Sequence, residues 1–379
     1  VMVSQYTFSP TYTGLMVYEK SGTSWVLHSE LLPGNTSTLS MINADGTRLS
    51  FGNTVYFRSG TTWTSNHVFS YTISSMNALG DTVILKNATN SLQVYKFNGS
   101  SWSLEATITN SVTGSNFGQY GTSLSDDGNV LAVTAPASYG SGSISGSVYI
   151  YTRSGTTWTQ QAQLLSSIGY AGDYFGYRCK LSGDGKTVAV TTESLTTSSV
   201  VTVFKKDISG STWTEENIFP FFATRITAVA LSTNGNYLVA SSAESSTGGD
   251  NGIVKMWSRT DSVWTERYSE EQKYGFPSDS TAKGFGAGCH CDGAGNAFSV
   301  SAPYYDTGRG AVYLYYGPGF IYKTDETGEM TIIGEKQEIS QAIDSLELSL
   351  SDTVGTRLLT YTATRSTDDF QSIRFQNIN

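Results

Sequence analysis

The chain has 379 residues, a formal charge of −9, 15% charged residues, 12% aromatic residues and 39 glycines. That aromatic mass excludes a disordered chain, and so few Lys and Arg leave no basic stripe to neutralise phosphates, which argues against a nucleic-acid partner. No run approaches the 18 or so consecutive apolar residues of a membrane-spanning helix, so direct membrane insertion is not expected, and the opening VMVSQYTFSP has neither a charged start nor an apolar h-region.

In chain order, residues 1–38 come first. SQYTFSP followed by GLMVYEKSGTSWVLHSEL reads as strands two to four of a sheet. Six units then run from 39 to 320. Each opens on a short hairpin turned by a Gly-containing step: MINADGTRLSFG, MNALGDTVILK, SLSDDGNVLAVTAP, KLSGDGKTVAVTTE, ALSTNGNYLVASSA and HCDGAGNAFSVSAP. Gly and Asn supply the positive φ such turns demand. After a variable loop comes an alternating aromatic run, TVYFR, LQVYKF, SVYIYTR, VVTVFKK, IVKMWSR or AVYLYY. An SG-type turn then leads to a strand opened by Trp63, Trp102, Trp158, Trp213 or Trp264, with Phe320 in the sixth unit. From Trp25 onward these aromatics are spaced 38, 39, 56, 55, 51 and 56 residues apart.

Each unit is therefore a four-stranded antiparallel sheet that cannot cover either of its own faces. Copies of this size must pack on one another, and radial closure is the usual solution. The predicted fold is a single all-β domain over 1–379, a β-propeller of four-stranded antiparallel blades. Residues 321–344 read as an elaborated connection between blades, with a short helix at EKQEISQAI as the alternative, and 345–379 as strands of a partial unit. Pairing the two partial ends, 1–38 and 345–379, gives a closing blade and a favoured count of seven, or eight if the overlapping ends form an incomplete extra blade.

The pairs Phe117-Gly118, Phe175-Gly176 and Phe285-Gly286, with the Ala135-Pro136 and Ala302-Pro303 steps, resemble FG-GAP repeats, the blades of integrin α-subunit-like propellers. The resemblance covers about 117–320. It implies a propeller used for adhesion and protein–protein interaction, and it raises the family's D-x-D-x-D-G calcium loops. The corresponding loops here are ASYGSGSISGS, ESLTTSS, AESSTGGDNG and YYDTGRG, too poor in carboxylates for the six to eight oxygens Ca²⁺ needs, so only Asp250 and Asp306 stand as weak metal candidates.

Chemistry is otherwise sparse. Cys179, Cys289 and Cys291 are too few for a disulfide framework, and GCHCDG lacks the second ligand pair of a zinc site. There is no G-x-S-x-G, H-E-x-x-H or P-loop, and no cofactor is expected. Asp127, beside Asp126, belongs to a DG turn with a structural task. Scattered arginines suggest no central cluster, and Ala132, Thr134, Ala189 and Ala240 read as small residues filling the tunnel. Asn35, Asn87 and Asn98 are sequons for glycosylation.

The expected function is a non-enzymatic interaction scaffold, extracellular or on a virion or cell surface, that binds a protein or glycan; a place in a larger assembly is in keeping with this. The alternative is a carbohydrate-active, sialidase- or glycosidase-like propeller with its site in the central funnel. In such sheets the two-to-three and four-to-one connections share one face. There they vary in length and carry Tyr139, Tyr170, Tyr174, Tyr304 and Tyr305, the candidate binding residues. Chelation with excess EDTA is expected to leave the melting temperature unchanged in a thermal scan, whereas a fall of several degrees would reveal a cation bound to the folded state.

Overall fold

The computed structural model describes residues 2–9, 12–21, 24–31, 40–88, 90–112, 114–138, 145–168, 172–193, 199–210, 212–221, 225–243, 252–271, 285–302, 311–316, 320–324, 330–335, 359–365 and 370–377. Among them every regular element is a β-strand, and no helix is long and apolar enough to cross a membrane. The strands form a β-propeller with six four-stranded antiparallel blades, at 40–68, 73–109, 122–164, 178–220, 228–271 and 288–324, numbered 1 to 6 below. Blade 3 shows the pattern: Thr122–Leu124, Val130–Ala135, Ser147–Ser154 and Thr157–Leu164 pair in sequence order.

The ends depart from expectation. Residues Met2–Ser9, Tyr12–Ser21 and Ser24–Leu31 form a separate three-stranded sheet. Beyond Phe320–Thr324, blade 6 continues through Met330–Glu335, Phe370–Asn377 and Leu359–Arg365 into a seven-stranded sheet. MTIIGE, expected within a connection, is thus a strand. A composite blade built from both termini is not among the described pairings. The open edge of blade 6 is filled by the β-prone run nearest in sequence, a local closure that costs less chain entropy than one spanning the whole chain. The helix considered at EKQEISQAI lies outside the described residues.

Each first hairpin is shaped by the side chain at its start. In blade 3 the Ser125 hydroxyl donates to Asp127 at 2.6 Å and accepts the Val130 amide at 2.9 Å, while Asp127 also accepts the Asn129 amide at 2.9 Å. Ser182 with Asp184 and Ser232 with Asn234 repeat this in blades 4 and 5. Asn43, Asn77 and Asp292 do the work with one side chain, accepting two successive amides each. These are the Asx-type local bonds that make Asp, Asn and Ser turn formers. Asp127 has the structural task expected of it.

Packing lies between sheets rather than within them. Leu15 and Val17 of the N-terminal sheet meet Leu49 and Phe51 of blade 1, and a separate apolar core follows at each successive junction through to blade 6. Ala132, Ala189 and Ala240 sit on second strands, wholly buried in these junctions, and Thr134 is likewise buried. They do not line the axis as the sequence reading had it, because the first strand, not the second, is innermost. At the innermost strands the Ser75 and Ser123 hydroxyls each accept an amide of the next blade, from Leu124 and Leu181, at 3.0 Å.

Two further stitches join neighbours. On the DG-turn face, main-chain bonds run from turn to turn: Ala44 N to Ala78 O, Ala78 N to Asp126 O, Asp126 N to Gly183 O, Asp184 N to Thr233 O, and Thr233 N to Gly293 O, at 2.8–3.3 Å. On the outer strands, the signature tryptophans Trp102, Trp158, Trp213 and Trp264 each donate their indole N–H to the preceding blade, to Asn66, Glu105, Gln161 and Glu216. Every acceptor stands three residues past its own blade's tryptophan. Arg153 adds a two-pronged ion pair to Glu105, and Arg259 donates to Glu216 at 2.6 Å.

The bonds from Arg153 and Trp158 hold the Glu105 carboxyl below its ordinary pKa, against the burial that would raise it. Its contribution is thus complete above the ordinary value of 4.5 and is lost as pH falls through the lower folded value. Glu105→Ala is expected to cost about 2–3 kcal/mol at pH 7, since it strands Arg153 without its partner. Urea unfolding should show that deficit narrowing as the pH is taken below 4.5.

Candidate functional site

The Phe-Gly pairs place the axial ends of the blades. Phe117, Phe175 and Phe285 are wholly buried, and the glycines that follow have φ of 67°, 89° and 86°, a region L side chains avoid. Gly118, Gly176 and Gly286 donate their amides to Thr134, Thr191 and Ser301 of the second strand at 2.7–3.0 Å. The chain is thereby pinned just before it enters the innermost strand, and the next residues emerge at the axial rim of the variable-loop face.

At that rim, blades 2 to 5 converge on one cluster. Lys86 of blade 2 donates from Nζ to the Gln119 carbonyl at 2.6 Å. Arg178, the first residue of the inner strand of blade 4, donates to the Tyr120 carbonyl on the blade 3 side at 2.9 Å and to the Thr227 carbonyl on the blade 5 side at 3.4 Å. The Tyr177 ring lies under two guanidinium groups, with Arg178 Cζ 4.7 Å and Arg225 Cζ 4.8 Å from its centroid, and Arg225 also donates to the Tyr177 hydroxyl. The Tyr120 ring packs 5.1 Å from Tyr177 at 46° and remains 38% exposed. Arg225 pairs with Glu193 at 3.3 Å and its side chain is 39% exposed.

The cluster is cationic in an acidic chain. Burial, reinforced by the Arg178 charge, pushes the Lys86 pKa down. Burial does the same to Arg178, with Glu193 pulling the other way. Among the described residues Glu193 is the carboxylate that acts on these groups. The opposite face, by contrast, carries Asp45, Asp126, Asp184 and Asp292 in its turns. Such a rim can hold an oxyanion through the guanidinium forks and a flat ring through the exposed tyrosine.

Sequence reasoning missed this gathering, having expected no arginine cluster. Arg178, Arg225 and Lys86 lie in three different repeats, and only the blade register superposes them. One signal was present. Aligned on Leu124, Leu181, Leu231 and Cys291, which occupy one register position, Arg178 falls where other blades carry Gly121, Ala228 and Gly288.

Of the predicted binding tyrosines, Tyr174 is half-buried with φ of 46°, directly before the buried Phe175. Tyr139, Tyr170, Tyr304 and Tyr305 lie outside the described residues, as do Asp250, Asp306 and Asn35. Asn87 is half-buried near a strand end, its amide 3.5 Å from the Ser91 hydroxyl. Asn98 is exposed, and its side chain closes a hairpin by accepting the Ser100 and Ser101 amides. In the GCHC strand, alternation sends Cys291 and Cys289 towards the core shared by blades 5 and 6 and leaves His290 exposed on the other side. The three do not converge on one point.

No family model matches the chain, and no curated protein matches it. Among solved structures, a functionally unknown protein from Desulfotomaculum acetoxidans superposes with a TM-score of 0.54 at 9% identity, over 80% of this chain and 89% of its own. A candidate 6-phosphogluconolactonase from Bacteroides fragilis gives 0.51 at 13% identity, over 89% and 90%. TolB from Acinetobacter baumannii gives 0.43 at 14%, over 72% and 64%. At these identities the first two likenesses concern the fold alone, and the FG-GAP likeness rests on its motif residues.

Burial pushes the Cys291 thiol up to about 12, with Cys289 adding in the same direction. Alkylation of Cys291 by iodoacetamide at pH 8 is expected to be about a hundredfold or more slower than that of an unfolded control, read by mass spectrometry, because the thiolate is the nucleophile.

Proposed function

We propose that the chain is a non-enzymatic binding scaffold of an extracellular or virion surface, which receives a glycan or protein partner on its variable-loop face. The observation that carries this reading is the Tyr120–Tyr177–Arg178–Arg225 rim, an aromatic and cationic surface held where the chain enters the innermost strands and open to solvent at Tyr120 and Arg225. The DG-turn face is occupied by its own turn-to-turn bonds, whereas the opposite face presents this rim. The FG-GAP resemblance supports an adhesive role.

The alternative is a carbohydrate-active enzyme with its site in the central funnel. Glycoside hydrolysis ordinarily asks for two carboxylates flanking the bond. The rim offers Glu193, already ion-paired to Arg225, which favours binding over turnover.

A glycan array probed with the full chain decides between them. Saturable capture is expected, weakened at least tenfold by Tyr120→Ala with an unchanged melting temperature, which corresponds to about 1.4 kcal/mol. Release of aglycone from a chromogenic glycoside, abolished by Glu193→Gln, would establish the enzyme instead.

A further inference from the structure

We propose that the axial rim is an oxyanion site: Arg178, Arg225 and Lys86 together receive a carboxylate or phosphoryl group, as on an acidic sugar, while Tyr120 supplies the face for the rest of the ligand. The proposal rests on reading this face as a binding surface and names the chemistry of what it binds.

Three cations from three repeats are brought to this rim, where Glu193 pairs with Arg225. Arg178 and Lys86 spend their recorded hydrogen bonds on neutral main-chain carbonyls of Tyr120, Tyr177, Thr227 and Gln119, which hold them in place without cancelling their charge. Arg225 Nε stands 3.3 Å from a Glu193 oxygen yet out of line for a hydrogen bond, so this buried N–H has no acceptor. The side chain is nonetheless 39% exposed, so an incoming oxyanion meets the guanidinium from the solvent side. Lys86 lies close enough to Arg178 for the guanidinium charge to disfavour its own protonation, a repulsion that a bound anion relieves.

The placement suits capture as well. The turn carboxylates Asp45, Asp126, Asp184 and Asp292 lie at the far end of the blades, so none of these four offsets the positive charge of the rim.

The test is isothermal titration of the full chain with sodium phosphate, sodium glucuronate and glucose. Saturable binding of at least one of the two oxyanions is expected, with glucose weaker; whichever anion binds tighter identifies the group as phosphoryl or carboxylate. Arg225→Gln should weaken that binding at least tenfold, and Arg225→Lys by less. Glu193→Gln provides the discriminating arm. If Glu193 merely props Arg225, its loss weakens binding; if the rim is an oxyanion site, removing the competing carboxylate tightens it. Failure of both oxyanions to bind, equal binding of glucose and glucuronate, undiminished binding by Arg225→Gln in a folded protein, or weakening by Glu193→Gln would each overturn the proposal. It fails separately from the broader reading: array capture of neutral glycans without phosphate or glucuronate binding would sink the oxyanion site alone, and a silent array with phosphate bound would remove the glycan partner alone.

Discussion

Everything in this molecule follows from the inability of one four-stranded sheet to bury its own faces. The apolar side chains of each blade, such as Val133, Val190 and Val239, are wholly buried only because a neighbour lies against them. Burial at roughly 25 cal/mol per Å² of apolar surface makes each junction, rather than each blade, the unit of stability. The sequence spends its distinctive residues accordingly. Tryptophans, the residues three places past them, the turn amides and the inner-strand serines all act across a junction.

That economy also explains where binding chemistry sits. A face consumed by identical stitches cannot diverge, because each turn must meet the next. The other face is held at the Phe-Gly pairs and by the cross-blade bonds of Lys86 and Arg178 rather than by a repeated turn-to-turn stitch. A cationic rim there is tolerated because Lys86 and Arg178 are held by main-chain carbonyls from adjoining blades, which leaves Glu193 to pair with Arg225.

The fold was legible because its signals are local and repeated. Alternating runs such as SVYIYTR, glycine steps such as DDG, and a tryptophan after each second turn specify strand, turn and strand within a dozen residues, and repetition makes each copy corroborate the others. At the chain ends the three strands within 1–38 were legible and the pairing of the C-terminal strands was not, for the complementary reason. MTIIGE has strand composition but no repeat context, and its partner edge on Phe320–Thr324 is visible only in three dimensions. The rim was illegible in the same way. Nothing near Lys86, Arg178 or Arg225 in the chain announces the others, and the assumption that small second-strand residues face the axis hid the first strand, which carries Arg178. The tyrosines chosen for exposure lie in the loops least constrained by repetition, and of these only Tyr174 falls within the described residues, tucked beside Phe175.

The indole bonds run one way. Trp102, Trp158, Trp213 and Trp264 always reach back to a blade earlier in the chain, never forward. A ribosome makes the chain in that order, and domains generally fold as their N-terminal parts emerge. Each tryptophan therefore leaves the exit tunnel with its acceptor already in place, and a half-made chain presents docked blades behind a single unfinished edge.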